Sequence, residues 1–123
     1  MIQIILTSHG PMAEAMISSA AMLYGEKDNV TALSLGEDDN IEEFHARMER
    51  LLHTNTGGEG SLILCDIPGG TPCNTAVRLA EEYSSIAVLA GMNMVMLLEA
   101  LLCDEETGLE ALAAILLESG REN

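Results

Sequence analysis

One of the three histidines in this chain lies where a phosphate group could be bound. His9 directly follows a short apolar run of strand character and directly precedes a segment with helical spacing. A helix N-terminus offers unpaired N–H groups and a partial positive charge, which together favour bound anions. We therefore predict that His9 can carry a phosphoryl group. The alternative is a capping or core histidine, which is the commoner role of a lone histidine in a loop.

A carboxyl group, that of Asp66, ends another apolar run, residues 61–65. A carboxylate at the end of a buried strand is costly unless it has a hydrogen-bonding partner. If that partner is an imidazole nitrogen, the bond fixes the tautomer and leaves the other nitrogen free as a nucleophile. We predict that His9 and Asp66 form a catalytic pair. In the alternative, Asp66 only caps the turn that follows it.

The residues after Asp66 form a Gly/Pro-rich turn that leads into a predicted helix. Adjacent glycines let the backbone approach an anion closely, a threonine hydroxyl can donate to a phosphoryl oxygen, and an asparagine can brace the loop. Such turns are common, so the string alone is a weak indicator. The predicted phosphoryl-binding residues are Gly10, Gly69, Gly70, Thr71 and Asn74.

Two further sets of residues are weaker candidates. His45, Glu49 and His53 fall at i, i+4 and i+8 of one predicted helix, a spacing that could chelate a metal. Nothing else in the sequence supplies further ligands, so we interpret them as a solvated helix face and predict no metal site. The adaptable methionine side chains near the predicted strand ends are candidates for docking a partner, with core packing as the alternative. They are Met12, Met92 and Met94.

Composition excludes several classes of function. The formal net charge of -15 argues against binding nucleic acid or an anionic membrane surface, which both require Lys and Arg. The sequence contains no P-loop string and no G-x-G-x-x-G after the first predicted strand. No apolar run reaches the ~18 residues that a membrane span needs. Three cysteines without a C-x-x-C pair or a leader peptide indicate reduced thiols in a cytoplasmic protein.

Strand-like and helix-like segments alternate along the chain and position these side chains. The predicted strands are residues 2–7, 30–35, 61–65 and 86–90, and the predicted helices are 12–24, about 41–53, 71–84, 95–102 and 109–119. Asp39 or Asn40 is expected to cap the second helix. This order predicts a single α/β domain, 1–123, built as a three-layer sandwich. It has a mainly parallel central sheet of at least four strands and helices on both faces. Ligands bind such sheets beyond the carboxyl ends of the strands.

Three strings together carry a family resemblance: IILTSHG at residues 4–10, DIPGGTPCN at 66–74 and AGMNMVML at 90–97. With them, the chain resembles the IIA domains of the mannose–fructose–sorbose class of the phosphoenolpyruvate-dependent sugar phosphotransferase system. The similarity runs from the first strand to residues 119–122. A more distant resemblance is to the phosphotransfer subunit of dihydroxyacetone kinase, although the string at residues 69–72 fits the sugar class better.

The resemblance implies an enzyme component that works through phosphohistidine. His9 would accept a phosphoryl group from the histidine phosphocarrier protein and pass it to a IIB partner, which phosphorylates sugar during uptake through the membrane subunits IIC and IID. Asp66 would orient the imidazole and Thr71 would bond the phosphoryl group, with no metal or other cofactor. The resemblance also implies a cytoplasmic homodimer and a free-standing IIA subunit. A non-catalytic module that binds a small molecule through the same loops is the alternative.

Overall fold

The computed structural model describes residues 1–55, 58–103 and 106–122. Its strands are β1 (Gln3–His9), β2 (Val30–Leu35), β3 (Ser61–Cys65) and β4 (Ile86–Ala90). Its helices are α1 (Met12–Tyr24), α2 (Ile41–His53), α3 (Thr71–Glu82), α4 (Met94–Leu102) and α5 (Leu109–Glu122). The predicted order of strands and helices is therefore confirmed over the described residues.

The four strands form one parallel sheet in the order β2-β1-β3-β4. Half of the residues in the two central strands, β1 and β3, are Ile or Leu, and all their side chains but that of His9 are buried. The edge strands β2 and β4 are only partly buried. Nearly continuous apolar strands are expected for a parallel sheet that is covered on both faces, so the sequence pattern has this physical origin.

Two apolar cores lie on the two faces of the sheet. On one face, α1, α4 and α5 pack against Ile4, Leu6, Leu62 and Leu64. On the other face, α2 and α3 pack against Ile5, Leu33, Ile63 and Cys65. The chain moves outward from β1 to β2 and then returns past β1 to β3 and β4. Because crossovers keep one hand, this reversal puts α1 on one face and α2 and α3 on the other. The predicted three-layer sandwich is confirmed.

The structure corrects several element boundaries. β1 extends two residues beyond the prediction, because the Gly10 N–H donates to the Leu35 carbonyl at 2.8 Å and keeps the strand paired with β2. α3 ends two residues early, where Tyr83 adopts an extended backbone. Asn40, and not Asp39, caps α2 by accepting hydrogen bonds from the N–H groups of Glu42 and Glu43.

All helices of the described residues are short. The longest, α5, has 14 residues and measures about 21 Å at 1.5 Å per residue, whereas the hydrocarbon core of a bilayer is about 30 Å thick. Within residues 1–55, 58–103 and 106–122, no helix is both long and apolar enough to cross a membrane.

Candidate phosphoryl-transfer site

The site lies at the carboxyl edge of the sheet, between the neighbouring strands β1 and β3. α1, which follows β1, packs on one face of the sheet, and α3, which follows β3, packs on the other. The two connecting loops therefore diverge, which is the arrangement that opens a crevice in sheets of this kind. His9 is the last residue of β1, and Asp66 directly follows β3. The fold thus brings together the two residues that the sequence predicts as a pair.

One carboxylate oxygen of Asp66 binds His9 twice. Asp66 Oδ2 accepts hydrogen bonds from the backbone N–H of His9 at 2.9 Å and from its ring nitrogen Nδ1 at 2.7 Å. The other oxygen, Oδ1, accepts from the backbone N–H of Ile67 at 2.9 Å. The Asp66 N–H in turn donates to the Thr7 carbonyl at 3.2 Å, so the backbone of Asp66 continues the β1–β3 pairing. The carboxylate is held in position from three sides.

The environment of Asp66 keeps its carboxyl group ionised. Only 9% of its side chain is exposed, and this burial by itself would raise the pKa. The hydrogen bonds from the backbone and ring of His9 and from the backbone of Ile67 outweigh burial, so the pKa of Asp66 lies below its ordinary value. An ionised carboxylate only accepts hydrogen bonds, and the proton in the His9–Asp66 bond must therefore be on Nδ1. In the neutral imidazole, Nε2 then carries the free lone pair.

The first turn of α3 lies against the imidazole. Gly70 is the N-cap residue of α3, and a Cβ atom at this position would lie 2.8 Å from His9 Cε1 and 3.4 Å from Nε2. The φ of Gly70 is -81°, which any residue can adopt. A glycine is therefore required here by the close contact with His9 and not by the backbone conformation. No acidic side chain lies in the first turn of α3. Nε2 therefore faces a helix N-terminus that favours negative charge.

Three of the other predicted phosphoryl-binding residues, Gly69, Thr71 and Asn74, lie in or next to this turn. Gly69 has a φ of +81°, which glycine adopts without strain, and its carbonyl accepts a hydrogen bond from the Asn74 side chain at 3.1 Å. Asn74 thus braces the loop in the way the sequence predicts. Thr71 begins α3, and its hydroxyl has no hydrogen-bond partner within the described part of the chain. That hydroxyl is available to donate to a ligand.

The structure also shows a residue that the sequence analysis missed. Ser8 is fully buried, its hydroxyl accepts the Ala13 N–H of α1 at 2.9 Å, and it donates to the Gly10 carbonyl at 3.1 Å. The first turn of α1 is therefore partly satisfied by Ser8, and it also contains Glu14. The N-terminus of α3 lies next to Nε2, as the Gly70 contact with the ring shows.

The predicted docking methionines do not lie together on the surface. Met92 is only 5% exposed and belongs to the core beside α1, so a docking role is wrong for it. Its N–H donates to the Cys65 carbonyl, which ties the β4–α4 loop to β3 and turns the side chain inward. Met94 is partly buried against the same core. Met12 is 43% exposed, and Ile67, which the sequence analysis did not select, is 53% exposed beside Gly70.

Two members of the predicted metal-chelating set His45, Glu49 and His53 contact Tyr83 in the structure. The Glu49 carboxylate accepts the hydroxyl hydrogen of Tyr83, and the ring of His53 packs edge-on against Tyr83 with 5.2 Å between ring centroids. These contacts join α2 to the end of α3. Across residues 1–55, 58–103 and 106–122, no three His, Cys, Asp or Glu side chains are grouped so that they could hold a metal ion.

Comparison with known proteins gives a consistent result. The model of the family described as "PTS system fructose IIA component" matches residues 3–117. The mannose-specific EIIAB component of Escherichia coli (strain K12) is 35% identical over 126 residues, which cover 98% of this chain. This chain spans only 38% of the length of that relative. The fructose-specific EIIA component of Bacillus subtilis (strain 168) is 31% identical over 112 residues, covering 91% of this chain and 77% of the relative.

A solved structure has the same fold. The crystal structure of phosphotransferase system component EIIA from Streptococcus agalactiae superposes with a TM-score of 0.91 and 28% sequence identity. The match covers 99% of this chain and 94% of that one. The paired strands and the flanking helices described above are therefore those of a known IIA architecture.

Proposed function

This chain belongs to the mannose–fructose–sorbose class of IIA components, which are phosphotransferase subunits, and from that membership we propose that it carries a phosphoryl group on Nε2 of His9. The observation that carries the proposal is the hydrogen bond of 2.7 Å between His9 Nδ1 and Asp66 Oδ2. It supports a proton on Nδ1, and Nε2, beside the N-terminus of α3, would then be the nucleophile.

The proposed reaction moves one phosphoryl group between two imidazoles. The lone pair of His9 Nε2 attacks the phosphorus of a phosphohistidine on the donor, the N–P bond of the donor breaks, and its electron pair returns to the donor nitrogen. The ring of His9 then carries a positive charge, which the Asp66 carboxylate at Nδ1 compensates. The hydroxyl of Thr71 and the first turn of α3 stabilise the phosphoryl oxygens.

The proposal includes the partners on both sides of this step. The donor is the histidine phosphocarrier protein and the acceptor is a IIB subunit, which serves the membrane subunits IIC and IID. The weak positive charge at the site supports a transient carrier, because dipoles and N–H groups hold a phosphoryl group without trapping it as a cluster of Lys and Arg would. The domain, residues 1–123, would act in a cytoplasmic homodimer, and sedimentation equilibrium tests the dimer.

Intact-mass measurement tests the proposal directly. The protein is incubated with phosphoenolpyruvate, enzyme I and the histidine phosphocarrier protein, and we expect it to gain the mass of one acid-labile phosphoryl group. Nitrogen NMR of the product is expected to show the phosphoryl group on Nε2 of the ring and not on Nδ1. Phosphorylation at Nδ1 contradicts the mechanism, because Asp66 holds that nitrogen.

Matched variants make the assay specific. His9→Ala should abolish the mass gain, whereas His45→Gln and His53→Gln, which change the other two histidines, should leave it intact. An unmodified wild-type protein would refute the carrier function and favour the non-catalytic binding module. A phosphorylated protein that transfers to the nucleotide-binding subunit of a dihydroxyacetone kinase, and not to a IIB subunit, would assign it to that second family.

Docking of both partners is proposed to use the apolar side chains beside His9. Met12 is retained from the predicted set, and the exposed Ile67 takes the place of the buried Met92. Ile67→Ser should raise the KM for the phosphorylated donor several-fold and leave kcat unchanged, because it removes contact area without touching the reacting atoms. A fall in kcat at an unchanged KM would argue against a docking role.

A further inference from the structure

The hydroxyl of Ser8 closes the turn that carries His9. It accepts the N–H of Ala13 at 2.9 Å and donates to the carbonyl of Gly10 at 3.1 Å. Both Ser8 and Ala13 are fully buried. One small side chain therefore links the end of β1 to the first turn of α1, with His9 and Gly10 between its two hydrogen bonds.

The backbone that follows His9 is held to β2 but has no side-chain cap from the N-cap residue of α1. Gly10 adopts a φ of +63°, and its N–H donates to the Leu35 carbonyl at 2.8 Å. The N-cap position of α1 is occupied by Pro11, whose side chain cannot make a capping hydrogen bond. The Ser8 hydroxyl thus serves as the N-terminal cap of α1, although Ser8 lies four residues before the helix begins. Without the hydroxyl, the buried Ala13 N–H loses its partner and the turn is free to shift.

A shift of the turn would displace the imidazole of His9. Asp66 Oδ2 accepts from both the backbone N–H and Nδ1 of His9, at 2.9 and 2.7 Å, so the peptide and the ring must be correctly placed together. Gly70 packs closely against the ring, since a Cβ there would lie 2.8 Å from Cε1. We propose that Ser8 is a positioning residue, whose buried hydroxyl fixes the His9 turn so that Nε2 is presented for phosphoryl transfer.

This inference rests on the proposed function, but it can be tested separately because it concerns the geometry of the ring. Thr7 supplies a matched control on the same strand. It is also fully buried, and its hydroxyl donates to the Leu33 carbonyl of β2 at 2.8 Å, away from the His9 turn. Thr7→Val and Ser8→Ala each remove one buried hydroxyl, but only Ser8→Ala removes a group that holds the turn.

The experiment compares wild type, Ser8→Ala, Ser8→Thr and Thr7→Val. Nitrogen NMR of the unphosphorylated protein reports the His9 ring, and single-turnover phosphorylation by the histidine phosphocarrier protein is timed well below each variant's Tm. We expect Ser8→Ala to shift the Nδ1 resonance and to slow phosphorylation about tenfold, since displacing a reacting group by less than 1 Å has effects of this order. Ser8→Thr keeps the hydroxyl, and it should restore both readouts. Thr7→Val should lower Tm and leave both readouts at wild-type values.

Three results would overturn the proposal. The first is a wild-type Nδ1 resonance and rate in folded Ser8→Ala, and the second is an equal disturbance in Thr7→Val, which would indicate a general loss of stability. The third is equal disturbance in Ser8→Ala and Ser8→Thr, which would assign the effect to side-chain volume. If Ser8→Ala does not fold, Ser8→Cys carries the same comparison, because a thiol is a weak hydrogen-bond acceptor. If the wild type accepts no phosphoryl group, the carrier function fails, and the NMR comparison still decides the role of Ser8.

Discussion

Two loops at the carboxyl edge of the sheet use their polar residues differently. In the β3–α3 loop, Asp66 binds the ring of His9 and the N-cap residue Gly70 has no side chain, so the first turn of α3 faces the imidazole. In the β4–α4 loop, Asn93 caps its own helix by accepting the Met96 N–H at 3.1 Å, and its amide donates to the Gly120 carbonyl at 3.4 Å. The first loop leaves the N–H groups at the start of α3 available for a ligand. The second uses its own asparagine to bind an N–H group at the start of α4.

The difference follows from the topology. β3 lies beside β1 in the centre of the sheet, and the helices that follow these strands go to opposite faces, so their loops separate and a crevice opens. β4 is at the edge of the sheet. The α4 that follows it packs with α1 and α5 on one face. The neighbour of β4 in the sheet is β3, whose loop is already engaged with His9 of β1. A position at the carboxyl edge is therefore insufficient for a site, which also needs a neighbouring loop with a side chain to pair with.

The strongest test of this difference is Asp66→Asn. The amide has one acceptor oxygen in place of two and no charge, so it cannot satisfy His9 and Ile67 together or compensate a cationic ring. We expect the rate of phosphoryl acceptance to fall about 1,000-fold. The free energy of unfolding should fall by about 2 kcal/mol. Stopped-flow transfer and urea denaturation measure the two effects, and a rate within tenfold of wild type would remove Asp66 from the mechanism.

The stability effect of Asp66 should also depend on pH. Its pKa is lowered in the folded protein, because hydrogen bonds from His9 and Ile67 outweigh the opposing effect of burial. The stabilisation is therefore fully present above the unfolded-state pKa of about 4, and it is lost as the pH falls through the lower folded-state value. The difference in unfolding free energy between wild type and Asp66→Asn should shrink below about pH 4. A constant difference down to about pH 2 would contradict this sign.

The next largest effects are expected for two glycine substitutions, one in each loop. Gly70→Ala places a methyl group 2.8 Å from His9 Cε1 at an ordinary φ, and we expect it to displace the ring and slow transfer about 100-fold with little loss of stability. Gly91→Ala meets no atom within 4 Å but has a φ of +75°, so it should cost about 1 kcal/mol and leave the rate unchanged. The transfer rate and the Tm of each variant are measured and compared with the wild-type values. The reverse pattern would show that the β4–α4 loop contributes to the site.

A smaller effect is expected for Thr71→Val, which keeps the shape of the side chain and removes its hydroxyl. Transfer should slow about tenfold, the effect of losing one hydrogen bond to a charged oxygen. Stability should hardly change, because the Thr71 hydroxyl has no partner among the described residues. Thr71→Ser is the control and should retain the wild-type rate. Equal rates for the valine and serine variants would indicate that the hydroxyl does not contact the phosphoryl group.

The sequence predicted the fold well, for identifiable reasons. The apolar runs of β1 and β3, the stop at Gly25 and the Gly-Thr-Pro start of α3 are local signals, and they predict the order of strands and helices. Boundaries set by long-range pairing were missed. Residues 8 and 9 belong to β1 because the Gly10 N–H reaches a carbonyl of β2, and no local pattern encodes that contact.

The site was predicted less completely. The pairing of His9 with Asp66 could be inferred, because parallel strands end at one edge of a sheet. Ser8 was missed, since its bond to the Ala13 N–H spans five residues, whereas a normal capping bond spans two or three. Docking and core packing both stayed open for Met92, because a sequence does not show which way a loop side chain turns, and the structure places it in the core.

The smallest effect on activity is expected for Asn93→Ala, which changes the capping residue of the β4–α4 loop. It removes the acceptor for the Met96 N–H and the donor to Gly120, so the free energy of unfolding should fall by about 1 kcal/mol. Asn93→Ser keeps a capping oxygen and should recover most of that loss. Because both hydrogen bonds lie within α4 and α5, phosphoryl acceptance by His9 should be unchanged, as measured by the same stopped-flow transfer at a temperature where both variants are folded. A slower rate in Asn93→Ala at full folding would mean that this loop is coupled to the site through the Met92–Cys65 bond, and that the two loops are not independent.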